Sequence, residues 1–375
     1  MTPVHHTTDG PADAPVLVLG PSLGTSLRLW DAQVPALARG RRVVRYDLPG
    51  HGGTPAAVLR EPTVAGLAAL VLELADSLGV RRFDYAGVSL GGAVGTWLAV
   101  HRPERVASLA VVCSSARFGE PEGWRERARR VREEGVEGLA ATAPGRWFTP
   151  GFESADAARA LVADHRAVDP QGYAACCEAL AAFDLRAELS RVEAPTLVVA
   201  GRQDTATPPV HARELADGIS GAGLVEISGA AHLAPVQQPQ RVLHALLGHL
   251  GPGAETGGAA VRRAVLGDAH VDRAAAATTS FTAPFQDLIT RYAWGEIWTR
   301  PGLDRRTRSC ITITALIARG HHEELAMHIR AARTNGLSRE EIQEVLLQSA
   351  VYCGVPAANT AFAIADRILE EEASA

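Results

Sequence analysis

A serine held between glycines, in Gly-Val-Ser-Leu-Gly (residues 87–91), is the first residue of this chain equipped for chemistry. A serine hydroxyl is a weak nucleophile near neutral pH; it needs a base, and the base needs an acid to orient it. Both follow in the chain: Asp204 in "AGRQDTATP" (200–208) and His232 in "ISGAAHLAP" (227–235). Asp204 comes just past the apolar run "TLVVAG", and His232 lies in the loop after the next such run. Ser89 is then the nucleophile, His232 the base that takes its proton, and Asp204 the group that fixes the imidazole tautomer. An oxyanion would need two backbone N–H donors, which Leu90, directly after the serine, and Leu23 in "GPSLGTS" (20–26) can offer. His5, His6, His51 and His101 lack this context and read as structural, and the rival acid Asp184 follows no strand-like run.

A second constellation sits in "GHHEELAMHIRAA" (320–332). On a helix, His321, Glu324 and His328 fall at i, i+3 and i+7 and share one face. Acid–base chemistry is the preferred reading. A metal site is an alternative, although HExxH fails because Ala326 stands where the second histidine belongs. A solvated polar face is the other.

Positioning these residues requires two kinds of architecture. "VLVLG" (16–20), "RRVVRYDL" (41–48), "FDYAGVS" (83–89), "VASLAVVCS" (106–114), "TLVVAG" (196–201) and "GLVEIS" (223–228) predict buried strands. They alternate with helical patterns such as 64–79 and 92–103, which implies a mostly parallel sheet covered on both faces. Residues 117–190 are helical, Ala- and Arg-rich and strand-free, as expected of a cap over a site. "GPGAETGGAA" (251–260) has the composition of a flexible linker, about 17 Å in r.m.s. span. Beyond it, residues 261–375 read as all-helical; "LSREEI" (337–342) predicts a capping box between Ser338 and Glu341.

The order serine, aspartate, histidine, each at a strand's end, is that of the α/β-hydrolase fold. "SLGTSLRLWDAQVPAL", "RYDLPGHGGT", "GVSLGGAVGTWLA", "APTLVVAGRQDTATPP" and "GAAHLAPVQQP" resemble the 3-oxoadipate enol-lactonases of that superfamily over about residues 14–250. The oxyanion loop has "GPSLG" in place of the commoner His-Gly, a feature shared with that family. An enol-lactone with an acetate arm needs a cation for its carboxylate; Arg146 is the candidate, with Trp147 as an apolar wall, against the alternative of a solvated arginine beside a core tryptophan.

"DRRTRSCITITALIARG" and "HHEELAMHIRAARTNGLSREEIQEVLLQSAVYCGVPAANTAF" resemble the 4-carboxymuconolactone decarboxylases, which share an all-helical fold with alkylhydroperoxidase-like proteins. Peroxidase relatives carry C-x-x-C-x-x-x-H there; His321 and Glu324 occupy the cysteine positions, so dithiol redox chemistry is not available. Decarboxylation needs no cofactor: loss of carbon dioxide pushes electrons into the conjugated ring carbonyl, and the dienolate is protonated at carbon. For this chemistry His328 is the candidate proton donor, Glu324 orients it or shares the proton, Arg308 in the preceding helix is the candidate carboxylate anchor, and His321 a candidate donor to the enolate. The product of this step is the enol-lactone that the first half would open, so the chain resembles a fusion of consecutive steps of protocatechuate catabolism in reverse order. A tether raises local concentration without implying a tunnel. The alternative is a carboxylesterase or C–C hydrolase with a helical oligomerisation module.

Bulk properties exclude other classes. The chain has 375 residues, net charge −5 and no lysine, which gives no electrostatic reason to expect a nucleic-acid or membrane partner. Five cysteines without a CxxC pair, no signal-peptide pattern and no long apolar run fit a cytoplasmic enzyme acting on small molecules, without metal or cofactor. The helical part is expected to form a homo-oligomer, as its family does.

Overall fold

The computed structural model describes residues 4–250 except 153, and 257–373 except 280 and 301. The chain divides into two compact units, one ending at residue 254 and the other beginning at 255.

The first unit is built on seven strands: β1 (His6–Asp9), β2 (Val16–Gly20), β3 (Arg42–Tyr46), β4 (Phe83–Val88), β5 (Val106–Val112), β6 (Thr196–Gly201) and β7 (Gly223–Ile227). Their spatial order is β1-β3-β2-β4-β5-β6-β7, parallel except for β1 against β3. Six strands were expected. The seventh, β1, reads "HTTD"; an antiparallel edge strand without apolar alternation leaves no periodic signal. Side chains alternate between two cores, one on each face. Val18, Tyr85, Leu109 and Val111 enter one, and Leu17, Leu19, Ala86, Val88 and Val112 the other.

Between β5 and β6 the described residues form four α-helices, Pro121–Glu134, Glu137–Trp147, Asp156–Arg166 and Pro170–Ala181, followed by a short 3-10 turn at Leu189–Arg191. The bridge from Arg117 to Asp184 closes the base of this excursion, and Asp184 is paired there with Arg186 at 2.7 Å. The rival acid is thus spent on the base of the cap.

The second unit contains helices and no strand among the described residues. Its first helix, Gly257–Leu266, begins inside the stretch whose composition predicts a linker; residues 251–256 lie outside the described residues. Small residues at 257–260 have let the backbone continue as helix where Val261 and Val265 pack inward. Helices Arg305–Arg319, His322–Thr334, Arg339–Cys353 and Val355–Ala373 enclose the main core, which includes Ile313, Leu325, Ile329, Leu346 and Ile368. The capping box forms: Ser338 Oγ accepts from Glu341 N at 3.1 Å, and Ser338 N donates to the Glu341 carboxylate at 2.8 Å.

Candidate active sites

Ser89 stands between β4 and the helix Leu90–His101 with φ 54° and ψ −115°, a strained conformation for a residue with a side chain. The turn is tight because the flanking positions are glycine. A Cβ on Gly87 would lie 2.3 Å from the Gly91 carbonyl carbon, and one on Gly91 would lie 2.6 Å from that of Gly20. Ser89 N donates to the Val112 carbonyl at 3.0 Å, and the Ser89 carbonyl accepts from Ser114 Oγ at 2.7 Å, which pins the elbow to β5.

Asp204, past the end of β6, accepts from His232 Nδ1 at 2.8 Å. Thr207 Oγ1 donates to the same carboxylate oxygen at 2.7 Å, and the N–H groups of Ala206 and Thr207 donate to the other at 2.8 and 3.0 Å. Burial acts to raise the Asp204 carboxyl, but the His232 imidazole and these hydrogen bonds hold it below the usual carboxylate value. An ionised Asp204 keeps the proton on Nδ1 and leaves Nε2 free to act as the base.

His232 and Ser89 line one cavity together with Ser22, Leu23, Arg127, Arg146, Trp147, His165 and Tyr173. Among the described residues, no acceptor engages the backbone N–H of Leu23 or Leu90, as an oxyanion hole requires. Trp147 is buried, stacks on His165 with ring centroids 5.2 Å apart, and its carbonyl accepts from Leu233 N at 3.0 Å, next to His232. Arg146 lines the cavity with part of its side chain exposed; burial of its guanidinium, then the neighbouring Arg127, lowers its pKa.

Sequence reasoning missed Arg127. It lies on the cap helix Pro121–Glu134 with its guanidinium 4.6 Å from the Trp124 ring centroid, and nothing in "WRERARR" distinguishes it from its neighbours. Reasoning also missed His165, which is buried in the cap wall. His51 is structural, as expected, but close to the site: Nδ1 donates to the Pro49 carbonyl at 2.9 Å, and Nε2 accepts from Gly24 N at 3.0 Å.

The second unit departs more from expectation. His328, on the helix His322–Thr334, is largely shielded; burial, then His270, pulls its pKa down to about 4 against the opposing influence of Glu324. It is therefore a neutral imidazole at pH 7 rather than an imidazolium. Glu324 lies on the same helix and is exposed. His321 falls at the N-cap, outside the helix, and its Nε2 accepts from Arg319 Nε at 3.3 Å. It does not extend the helical face that its spacing suggested. Among the described residues, no three potential metal-ligating side chains are gathered.

Arg308 is not brought to this site. Its guanidinium donates to the carbonyls of Leu303 and Arg300 at 3.1 and 2.9 Å. Next to it, Ser309 Oγ accepts from Asn335 Nδ2 at 2.9 Å, which places this end of the helix about 10 Å along the neighbouring helix from His328. Two cations, Arg262 and Arg273, bear on His270, which in turn bears on His328. Arg262 donates to Thr290 Oγ1 at 3.0 Å and Gln286 Oε1 at 3.1 Å. The helices that carry Arg262 and His328 meet where Val265 and Ala331 pack with Trp294.

The comparisons with known proteins match the two units separately. The α/β-hydrolase fold family matches residues 15–239, and the carboxymuconolactone decarboxylase family matches 283–367. The chain belongs to both families, one in each unit. Over 247 residues it is 39% identical to 3-oxoadipate enol-lactonase 2 of Acinetobacter baylyi, covering 65% of this chain and 91% of that protein. Over 114 residues it is 44% identical to 4-carboxymuconolactone decarboxylase of the same organism, covering 30% of this chain and 85% of that one. The crystal structure of the enol-lactonase from Burkholderia xenovorans is similar at 37% identity and TM-score 0.62, covering 66% of this chain and 96% of its own.

Proposed function

We propose that this chain is a bifunctional enzyme of protocatechuate catabolism. The second unit decarboxylates 4-carboxymuconolactone, and the first hydrolyses the resulting 3-oxoadipate enol-lactone to 3-oxoadipate. The observation that carries the reading is the 2.8 Å pairing of Asp204 with His232, which lines one cavity with Ser89, in a chain whose other unit belongs to the decarboxylase family.

In the first unit, Ser89 Oγ attacks the lactone carbonyl while His232 Nε2 takes its proton. The oxyanion is met by the N–H groups of Leu23 and Leu90. His232 then protonates the departing enol oxygen, the enol becomes a ketone, and water, activated by the same histidine, releases the acyl group from Ser89. Arg127 and Arg146 bind the carboxylate arm, and Trp147 supplies the apolar wall.

In the second unit, the C–C bond to the departing carboxylate breaks and its electron pair moves into the conjugated ring carbonyl. A neutral His328 donates its N–H to the developing enolate and passes that proton to carbon while its other ring nitrogen takes up a proton from solvent; Glu324, on the same helix, orients the imidazole. Arg262 is assigned to the carboxylate that remains on the product. No bound group is needed for either reaction.

The described residues contain no helix long and apolar enough to cross a membrane, and we place the enzyme in the cytoplasm. The second unit exposes Phe281, Tyr292, Val351, Tyr352 and Val355, which are 92, 56, 76, 77 and 67% accessible. So much apolar surface on a small helical unit supports assembly into a homo-oligomer. Light scattering on the whole protein tests this, and a monomer would refute it.

Purified protein supplied with 4-carboxymuconolactone should release carbon dioxide and accumulate 3-oxoadipate together. Hydrolysis of simple aryl esters without carbon dioxide release would instead favour an esterase carrying a helical assembly module.

A further inference from the structure

The loop that presents Leu23 is gripped from two sides, and one side is the cap. Within the loop, Thr25 N and Thr25 Oγ1 both donate to the Ser22 carbonyl, at 3.1 and 2.8 Å. From the sheet side, Gly24 N is held by His51. From the cap side, Ser26 Oγ donates to Asp164 Oδ2 at 2.5 Å, near the C-terminal end of the helix Asp156–Arg166.

The next residue, His165, backs onto Gly24. Gly24 has φ +83°, and a Cβ there would stand 3.1 Å from Cε1 and Nε2 of the His165 ring. That ring is stacked between Trp147, at 5.2 Å and 22°, and Tyr173, at 5.5 Å and 15°. Both of its nitrogens are buried and have no hydrogen-bond partner among the described residues. Burying an unpartnered imidazole costs free energy that a purely apolar ring would not. Its place here is therefore set by the flat contact with Gly24 and by what the cavity presents to it.

We propose that Asp164 and His165 are positioning residues for the oxyanion hole. Asp164 tethers the loop at Ser26, His165 backs it at Gly24, and these two contacts, directly after Leu23, keep the Leu23 N–H aimed at the oxygen above Ser89. The cap then sets the speed of acyl transfer as well as choosing the substrate. This rests on the reading of Ser89 as the nucleophile.

The test is steady-state kinetics of Ser26→Ala, Asp164→Ala, Asp164→Asn and His165→Ala on two substrates. One is 3-oxoadipate enol-lactone; the other is p-nitrophenyl acetate, a neutral ester without a carboxylate arm. A mis-aimed oxyanion donor slows every acyl transfer. The three alanine variants should therefore lose about ten-fold in kcat on both substrates, with KM nearly unchanged. Ser26 Oγ also accepts from Arg28 N at 3.3 Å and Asp164 also pairs with Arg28 at 3.7 Å, so Ser26→Ala combined with Asp164→Ala should lose clearly less than the product of the two single losses, because the Ser26–Asp164 bond is common to both. Asp164→Asn, whose amide oxygen still accepts from Ser26, should recover most of the rate. A rise in KM for the lactone alone would overturn the proposal and make these residues substrate contacts. A lowered melting temperature with intact kcat would overturn it in favour of packing. If the unaltered protein hydrolyses the ester but not the lactone, the enol-lactonase reading fails while the ester kinetics still decide the role of the loop.

Discussion

Asp204 grips His232 with one carboxylate oxygen and its own chain with the other. Oδ2 accepts from His232 Nδ1 at 2.8 Å, while Oδ1 accepts from the N–H groups of Ala206 and Thr207. The acid is thus oriented before any substrate arrives. Asp204→Asn keeps the shape but no longer enforces the tautomer. It should lower lactonase kcat by about 10⁴-fold with little change in KM, measured by initial rates, and leave decarboxylation untouched.

Arg127 and Arg146 face one cavity, and no carboxylate among the described residues lines it with them. Arg127→Ala should raise the lactonase KM about ten-fold or more while p-nitrophenyl acetate hydrolysis stays constant. An equal loss on both substrates would show that the cation supports the cap and not the ligand.

His328 titrates near pH 4 because burial, helped by His270, opposes its charge. The imidazole therefore stays neutral across pH 5–8. The decarboxylation rate should show no inflection near pH 6.5 from this residue and should fall only as pH approaches about 4. His328→Gln should cost at least about 100-fold in carbon dioxide release and nothing in lactone hydrolysis.

His51 is held at about 4 by burial, against an unperturbed value of 6.5. Between those values the unfolded chain binds a proton that the folded chain refuses, so stability must fall as pH drops from about 6.5 towards 4. For this residue the loss is on the order of 3 kcal/mol by pH 4. Thermal melts of the wild type and His51→Gln across this range should show a shallower pH slope in the variant, even though its melting temperature at pH 7 is lower.

The first unit was legible because its chemistry is tied to strand ends. Ser89, Asp204 and His232 each follow an apolar run, and the parallel sheet delivers all such ends to one edge. Arg127 and His165 were not legible, because the cap helices carry many arginines and polar residues, and only the fold of the cap decides which of them turns inward. In the second unit, Arg308 was chosen for its place in the preceding helix and proved to be engaged with backbone carbonyls, whereas His270, which bears on His328, comes from a helix that precedes the motif. His321 shows how one residue of boundary error matters: helical spacing placed it on the face of Glu324 and His328, and the N-cap turned it away.

Among the described residues, the two large cores of the first unit and the two cores of the second share no side chain. Calorimetry should accordingly resolve two endotherms. Substitutions that weaken one catalyst need not be compensated in the other, so each can drift, improve or be exchanged for a cousin at its own pace.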